Sequence, residues 1–141
     1  MLEFLKILFF GKVFLITPQP VDIDGMVEFK LREPVAAITS GATLEIDVSS
    51  TILKRRDESI TDFRRRVDET FPAGTVVATL FGDSLLVDMA YSGNHAYSDN
   101  SVTLLLQSKD GVPTGVEFTR LTITSQSTLK STLVRWRNYE L

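Results

Sequence analysis

Residues 21–32 alternate in character almost without a break. Val21, Ile23, Gly25, Val27, Phe29 and Leu31 share one parity; Asp22, Asp24, Met26, Glu28, Lys30 and Arg32 share the other. A period of two over this length predicts a strand with one face on a core and the other in water. Pro18 and Pro20 suit entry along a sheet edge, because proline has no N–H to give to a ladder. Residues 43–49 repeat the pattern after a Ser40-Gly41 turn. Leu44, Ile46 and Val48 point inward, and Thr43, Glu45, Asp47 and Ser49 outward.

The period then lengthens. Ile60, Phe63, Val67 and Phe71 fall at i, i+3, i+7 and i+11, one stripe of a helix, and predict a helix over residues 58–71 laid across an open end or edge of the sheet. Ser59 with Asp62 resembles a capping box with aspartate in place of glutamate, and Pro72 and Gly74 end the helix. Strands return at residues 75–81 and 84–91, joined at Gly82-Asp83 as a two-residue hairpin, and at 102–108, closed by Asp110-Gly111. In residues 116–124 the phase slips. Val116 and Phe118 have one parity and Leu121 and Ile123 the other, which predicts a β-bulge near Thr119-Arg120. A last strand, residues 129–139, carries Leu133, Val134 and Trp136.

Some seven or eight strands with regular turns and a single helix predict an all-β fold, an antiparallel two-sheet sandwich of immunoglobulin-like or jelly-roll-like type. Residues 116–139 resemble the closing strands of immunoglobulin-like sandwiches, a resemblance that carries no functional residues across. No repeat or internal boundary divides residues 18–141, so they form one domain.

Ahead of that body lies an apolar docking segment, residues 1–17. Residues 4–16 are apolar apart from Lys6, Gly11 and Lys12, and hold Phe4, Phe9, Phe10 and Phe14 of the nine phenylalanines. Thirteen residues make a helix of roughly 20 Å, short of the ~30 Å hydrocarbon core. The following Thr17-Pro18-Gln19-Pro20 lacks the small-residue pattern of a signal cleavage site. Lys6 and Lys12 lie about 120° apart on a helical wheel, so an interfacial helix would be weakly amphipathic. The competing reading is a short packed helix followed by a buried strand at residues 13–16.

Charge and composition narrow the chemistry. A net charge of −3 argues against a dedicated nucleic-acid binder, whose affinity rests on basic groups. The absence of cysteine excludes disulfides, thiolate metal sites and cysteine nucleophiles. Arg64-Arg65-Arg66, with Lys54, Arg55 and Arg56 upstream, reads as a solvated helix face paired i to i+4 through Asp62–Arg66, Arg64–Asp68 and Arg65–Glu69. Asp22-Ile23-Asp24-Gly25 begins like a calcium loop but lacks its distal glutamate.

The most site-like stretch is residues 91–100, read as a hairpin loop bearing Tyr91, Asn94, His95, Tyr97 and Asp99. Its aromatic and polar groups suit a glycan, a small molecule or a protein. As an enzyme the chain would use His95, the only histidine, as base, with Ser92 or Ser98 and Asp99 nearby, but no nucleophile-elbow motif supports this. The pattern therefore predicts a non-catalytic interaction module without cofactor. Its apolar segment would dock on a membrane surface, on a protein partner, or on another copy of the chain. The alternative is a structural subunit of a phage, virion or cell-surface particle, and either reading favours a membrane-associated or assembly-bound protein over a free cytoplasmic one.

Overall fold

A computed structural model describes residues 13–98 and 101–138. Its elements, in chain order, are β1 (Val13–Leu15), β2 (Val21–Ala36), β3 (Thr43–Asp47), α1 (Ile60–Thr70), β4 (Val76–Phe81), β5 (Leu86–Ser98), β6 (Ser101–Gln107) and β7 (Glu117–Arg137). The named strands pair antiparallel throughout. β7 pairs with β3, β3 with β6, β6 with β5, β5 with β4, and β4 returns to β7. The protein is thus all-β with one helix among the described residues, its sheet closing on itself like a barrel, with β1 and β2 added along β7. The two-sheet division expected from the pattern is replaced by this single closed sheet.

Closure depends on β7 being used twice. Residues 120–125 lie between β2 and β4, and residues 135–137 between β1 and β3. Leu121, Ile123 and Leu129 are buried with odd parity, whereas Thr132, Val134 and Trp136 are buried with even parity. The parity changes at Ser131, whose φ of 47° bends the strand. The two strands expected at 116–124 and 129–139 are therefore one kinked strand. Its end is fixed by Trp136, whose indole N–H donates to the Ala36 carbonyl at 3.3 Å, and by Asn138, which takes the Ile38 N–H at 3.0 Å.

The expected slip near Thr119-Arg120 is present, because Phe118 and Leu121 are both buried. Its extra residues, however, belong to β2. Lys30 faces Arg120 and Val35 faces Phe118, so five steps along β2 match two along β7. Pro34 lies in this bulge, where a missing N–H breaks no ladder. The β4–β5 connection also differs from the expected two-residue turn. The Gly82 N–H reaches the Leu85 carbonyl at 2.8 Å across a four-residue loop, and a side chain at Gly82 would meet the Glu117 carbonyl at 3.2 Å.

In α1, Phe63 and Val67 are buried, as is Phe71 at its end, but Ile60 is exposed. The Asp62 N–H donates to Ser59 Oγ at 3.0 Å, which is half of the expected capping box. The Asp62 carboxylate does not reach back and instead holds Arg65 at 3.2 Å. The remaining expected i to i+4 pairs are likewise replaced. Arg66 grips Glu58 at 2.7 and 2.9 Å and also reaches the Leu53 carbonyl, while Arg64 lies over the Tyr97 ring. These contacts tie the helix to its incoming loop and to β5. Arg66 first, then the Arg55 backbone N–H, hold the Glu58 carboxyl down to about 2.

Candidate functional site

Residues 91–98 are not a loop. β5 runs through to Ser98, with His95 opposite Leu104 and Tyr97 opposite Val102. Tyr91 faces Leu106, so Ser92, Gly93 and Asn94 form a bulge, and Gly93 takes a φ of 106° that suits glycine. The Asn94 amide donates to Gln107 Oε1 at 3.2 Å across this bulge. Asp99 lies outside the described residues.

The bulge turns His95 toward α1 and assembles a cluster with Asp68, Tyr91 and Tyr97. His95 Nε2 lies 2.8 Å from the Tyr97 hydroxyl and 3.3 Å from Asp68 Oδ1. A proton on Nε2 satisfies both neighbours, because each can accept; a proton on Nδ1 leaves Nε2 to accept from Tyr97. The Tyr97 ring packs on Phe63, with centroids 5.3 Å apart, so the polar cluster rests on the buried face of the helix. Tyr91 is fully buried and its hydroxyl has no hydrogen-bond partner. Burial first, then the Asp68 charge and Tyr97, push its pKa up to about 12. Burial and Asp68 also raise Tyr97, against the lowering effect of Arg64.

His95 Nε2 thus faces a carboxylate and a phenol. Ser98 Oγ bonds Ser101 instead of His95, and the carboxylate beside the ring is Asp68 on the helix. Asp68 escaped the sequence reading because it sits 27 positions upstream and was assigned to Arg64. What the cluster does in this geometry is join α1 to β5.

A second polar group was also missed. Glu45, expected on the wet face of β3, is buried between Arg135 and Arg137 of the adjoining strand. Arg135 further reaches Thr103 Oγ1 at 3.2 Å and Asp47 at 3.8 Å. Glu45, Thr103, Arg135 and Arg137, with Tyr97, Ser98 and Ser101, line a recess of about 400 Å³. The only sequence signal was the alternation of charge within two strands. No group of three or more histidine, aspartate or glutamate residues is placed to hold a metal ion among the described residues.

The apolar surface lies on the opposite theme, along β1 and β2. Phe4, Phe9 and Phe10 fall outside the described residues. Phe14 is on β1, half-buried opposite Trp136, and its neighbour Leu15 is 55% exposed. Between β1 and the β2 bulge runs a groove of about 460 Å³, lined by Phe14, Leu15 and Ile16 on the β1 side and by Leu31 and Val35 together with the charged Lys30, Arg32 and Glu33 on the β2 side. The inward face of β2 is incompletely covered as well: Ile23 is buried, but Val27, Phe29 and Leu31 are only half-buried. Among the described residues β2 pairs with β7 alone, which leaves its second edge without a strand. No helix among those residues is long and apolar enough to cross a membrane.

The structure gives the two groups of candidate residues different surroundings: Tyr91, His95 and Tyr97 gather around Asp68, Asn94 bonds Gln107, and Phe14 lines the groove. The first is largely satisfied internally, and the second is left open. No protein-family model matches the chain, and comparison with curated proteins and with solved structures finds no match.

Proposed function

We propose that this protein is a non-catalytic interaction module that joins a larger assembly through its apolar N-terminal segment and the groove beside β1. The observation that carries this reading is the position of the groove. It opens between Phe14-Leu15-Ile16 and the β2 bulge, at the place where the apolar residues 4–12 lead into β1. The apolar part of this recess, with the exposed Leu15 beside it, gains by being covered, at about 25 cal/mol for each Å² removed from water, and Lys30, Arg32 and Glu33 on its β2 side offer charges to a protein partner. A protein subunit is the occupant this reading favours. Lys6 and Lys12 interrupt the segment, and the whole run is short for a membrane span.

The test uses the full chain carrying Phe9→Ser, Phe10→Ser and Leu15→Glu together. Light scattering measures its mass beside the unaltered protein, and flotation with neutral and anionic vesicles measures lipid binding. Assembly that is lost in the variant supports the proposal. Flotation of a monomer that the variant abolishes would replace the subunit with a membrane surface. Equal mass and equal flotation for both proteins would remove the segment and the groove from the account.

A further inference from the structure

The edge of β2 that no strand covers among the described residues is complementary to itself. Residues Met26–Lys30 keep an unbroken antiparallel register with Thr124–Arg120 of β7, bounded by Gly25 at a φ of 73° and by the bulge after Lys30, and this regular stretch has one edge unpaired among the described residues. Such an edge presents a row of backbone donors and acceptors to any second strand. In an antiparallel pairing of two identical strands about a two-fold axis, the residue at the axis faces itself, and its neighbours face each other in reciprocal pairs.

We propose that two copies of the chain associate edge to edge through β2, antiparallel, with Val27 on the two-fold axis. The charge order along the strand selects this register. With Val27 at the centre, Asp24 faces Lys30 of the partner subunit, a pair that occurs twice about the axis; Asp22 is held by the Ser131 N–H and Lys130, and Arg32 lies in the bulge, so neither adds a pair. Moving the centre to Met26 places Asp24 against Glu28 of the partner subunit, and moving it to Glu28 places that carboxylate against its own copy. Opposite charges directly across a ladder stabilise it, and like charges oppose it. Lys30 and Arg32 have no ion pair within the chain among the described residues, and Asp24 has only the Thr128 hydroxyl at 3.4 Å.

The apolar face agrees. The same register sets Ile23 against Leu31 of the partner subunit and Gly25 against Phe29 of the partner subunit. Nothing lies within 4 Å of the position a side chain would occupy at Gly25, so an aromatic ring from the facing strand has room to cover it. The half-buried Val27, Phe29 and Leu31 would then meet Val27, Gly25 and Ile23 of the partner subunit, adding to the cover that β7 alone leaves partial. Strand addition at an exposed edge is a general mode of association, with backbone hydrogen bonds giving affinity and alternate side chains giving register.

The chain has no cysteine, so a single introduced thiol reports the axis directly. Full-length Val27→Cys, oxidised gently, is expected to form mostly disulfide-linked dimer. Met26→Cys, at a position 68% exposed, is expected to crosslink several-fold less, although random collision would favour it. Sedimentation velocity supplies the second arm. Asp24→Lys and Lys30→Asp are each expected to weaken dimerisation by about tenfold or more, and the double variant to restore it, because two facing pairs change sign together. Crosslinking of Val27→Cys no greater than that of Met26→Cys, or no recovery in the double charge swap, would overturn the proposal. The edge pairing does not depend on the N-terminal docking. Val27→Cys is expected to crosslink equally well with Phe9→Ser, Phe10→Ser and Leu15→Glu present, and loss of crosslinking in that background would overturn it as a contact in its own right.

Discussion

Replacing Ser131 by valine is expected to destabilise the protein, although valine favours strands and the position is exposed within β7. An exposed strand site ordinarily gains a fraction of about 1 kcal/mol from such a change. Ser131, however, has a φ of 47°, in the left-handed region, where side chains crowd the following carbonyl at a cost of about 1–2 kcal/mol. A β-branched residue fits that region worst. Glycine removes the crowding but adds about 0.4–1 kcal/mol of freedom to the unfolded chain, so Ser131→Gly should be neutral or mildly stabilising. The gap between Ser131→Gly and Ser131→Val is then about 2 kcal/mol, or about 4–8 °C in melting temperature for a domain near this size. Both variants keep the Ser131 backbone N–H that donates to Asp22 Oδ1 at 2.9 Å, so the comparison isolates the dihedral angle. Thermal unfolding followed by circular dichroism measures the gap. Ser131→Val melting at or above Ser131→Gly would show that β7 is not kinked there, and the closure of the sheet would have to be redrawn.

Other expectations follow from the same geometry. Glu58, held at about 2 against an ordinary 4.5, contributes stability that is present above pH 4.5 and lost as pH falls from 4.5 toward 2; acid titration of Glu58→Gln should show a shallower loss across that window than the unaltered protein. Tyr91, raised from 10 to about 12, stays neutral in the fold while the unfolded chain ionises, so stability falls as pH rises from 10 toward 12. In an absorbance titration it should ionise late, and Tyr91→Phe should remove that late component. Because the Tyr91 hydroxyl is buried without a partner, Tyr91→Phe should be neutral or stabilising near pH 7, whereas Tyr97→Phe loses the bond to His95 and should cost about 1 kcal/mol in urea unfolding. Phe63→Ala should cost about 3–5 kcal/mol in the same assay, since the ring is buried between the sheet and Tyr97.

The elements that could be read from the sequence are those whose pattern is local. The alternation of Val21 to Arg32 marked β2, and Phe63, Val67 and Phe71 marked the buried side of α1, because each depends only on strand or helix periodicity. Residues 91–98 read as a loop because Ser92, Gly93 and Asn94 resemble a turn. Pairing with β6, which no local pattern expresses, makes them a bulge within a strand. Ser125, Gln126 and Ser127 likewise looked like a break in β7, yet they are held in the sheet when the Gln126 N–H donates to the Thr75 carbonyl at 2.9 Å. Charge partners were the least legible part of the site. Arg66 bypasses Asp62 for Glu58, and Asp68 turns from Arg64 to His95, since the long side chains follow the fold rather than the helical spacing. Sheet closure was beyond reach for a related reason: it is decided by which strands pair with the two halves of β7, and periodicity is silent on pairing.

The proposed contacts run along β1 and β2 and leave out residues 92–98. Amide hydrogen exchange of the full chain, measured over a series of protein concentrations, tests this directly. Protection at Leu15–Ile16 and at Met26–Lys30 is expected to rise with concentration, while exchange at residues 92–98 stays constant. Protection that grows at residues 92–98 with β1 and β2 unchanged would contradict this arrangement.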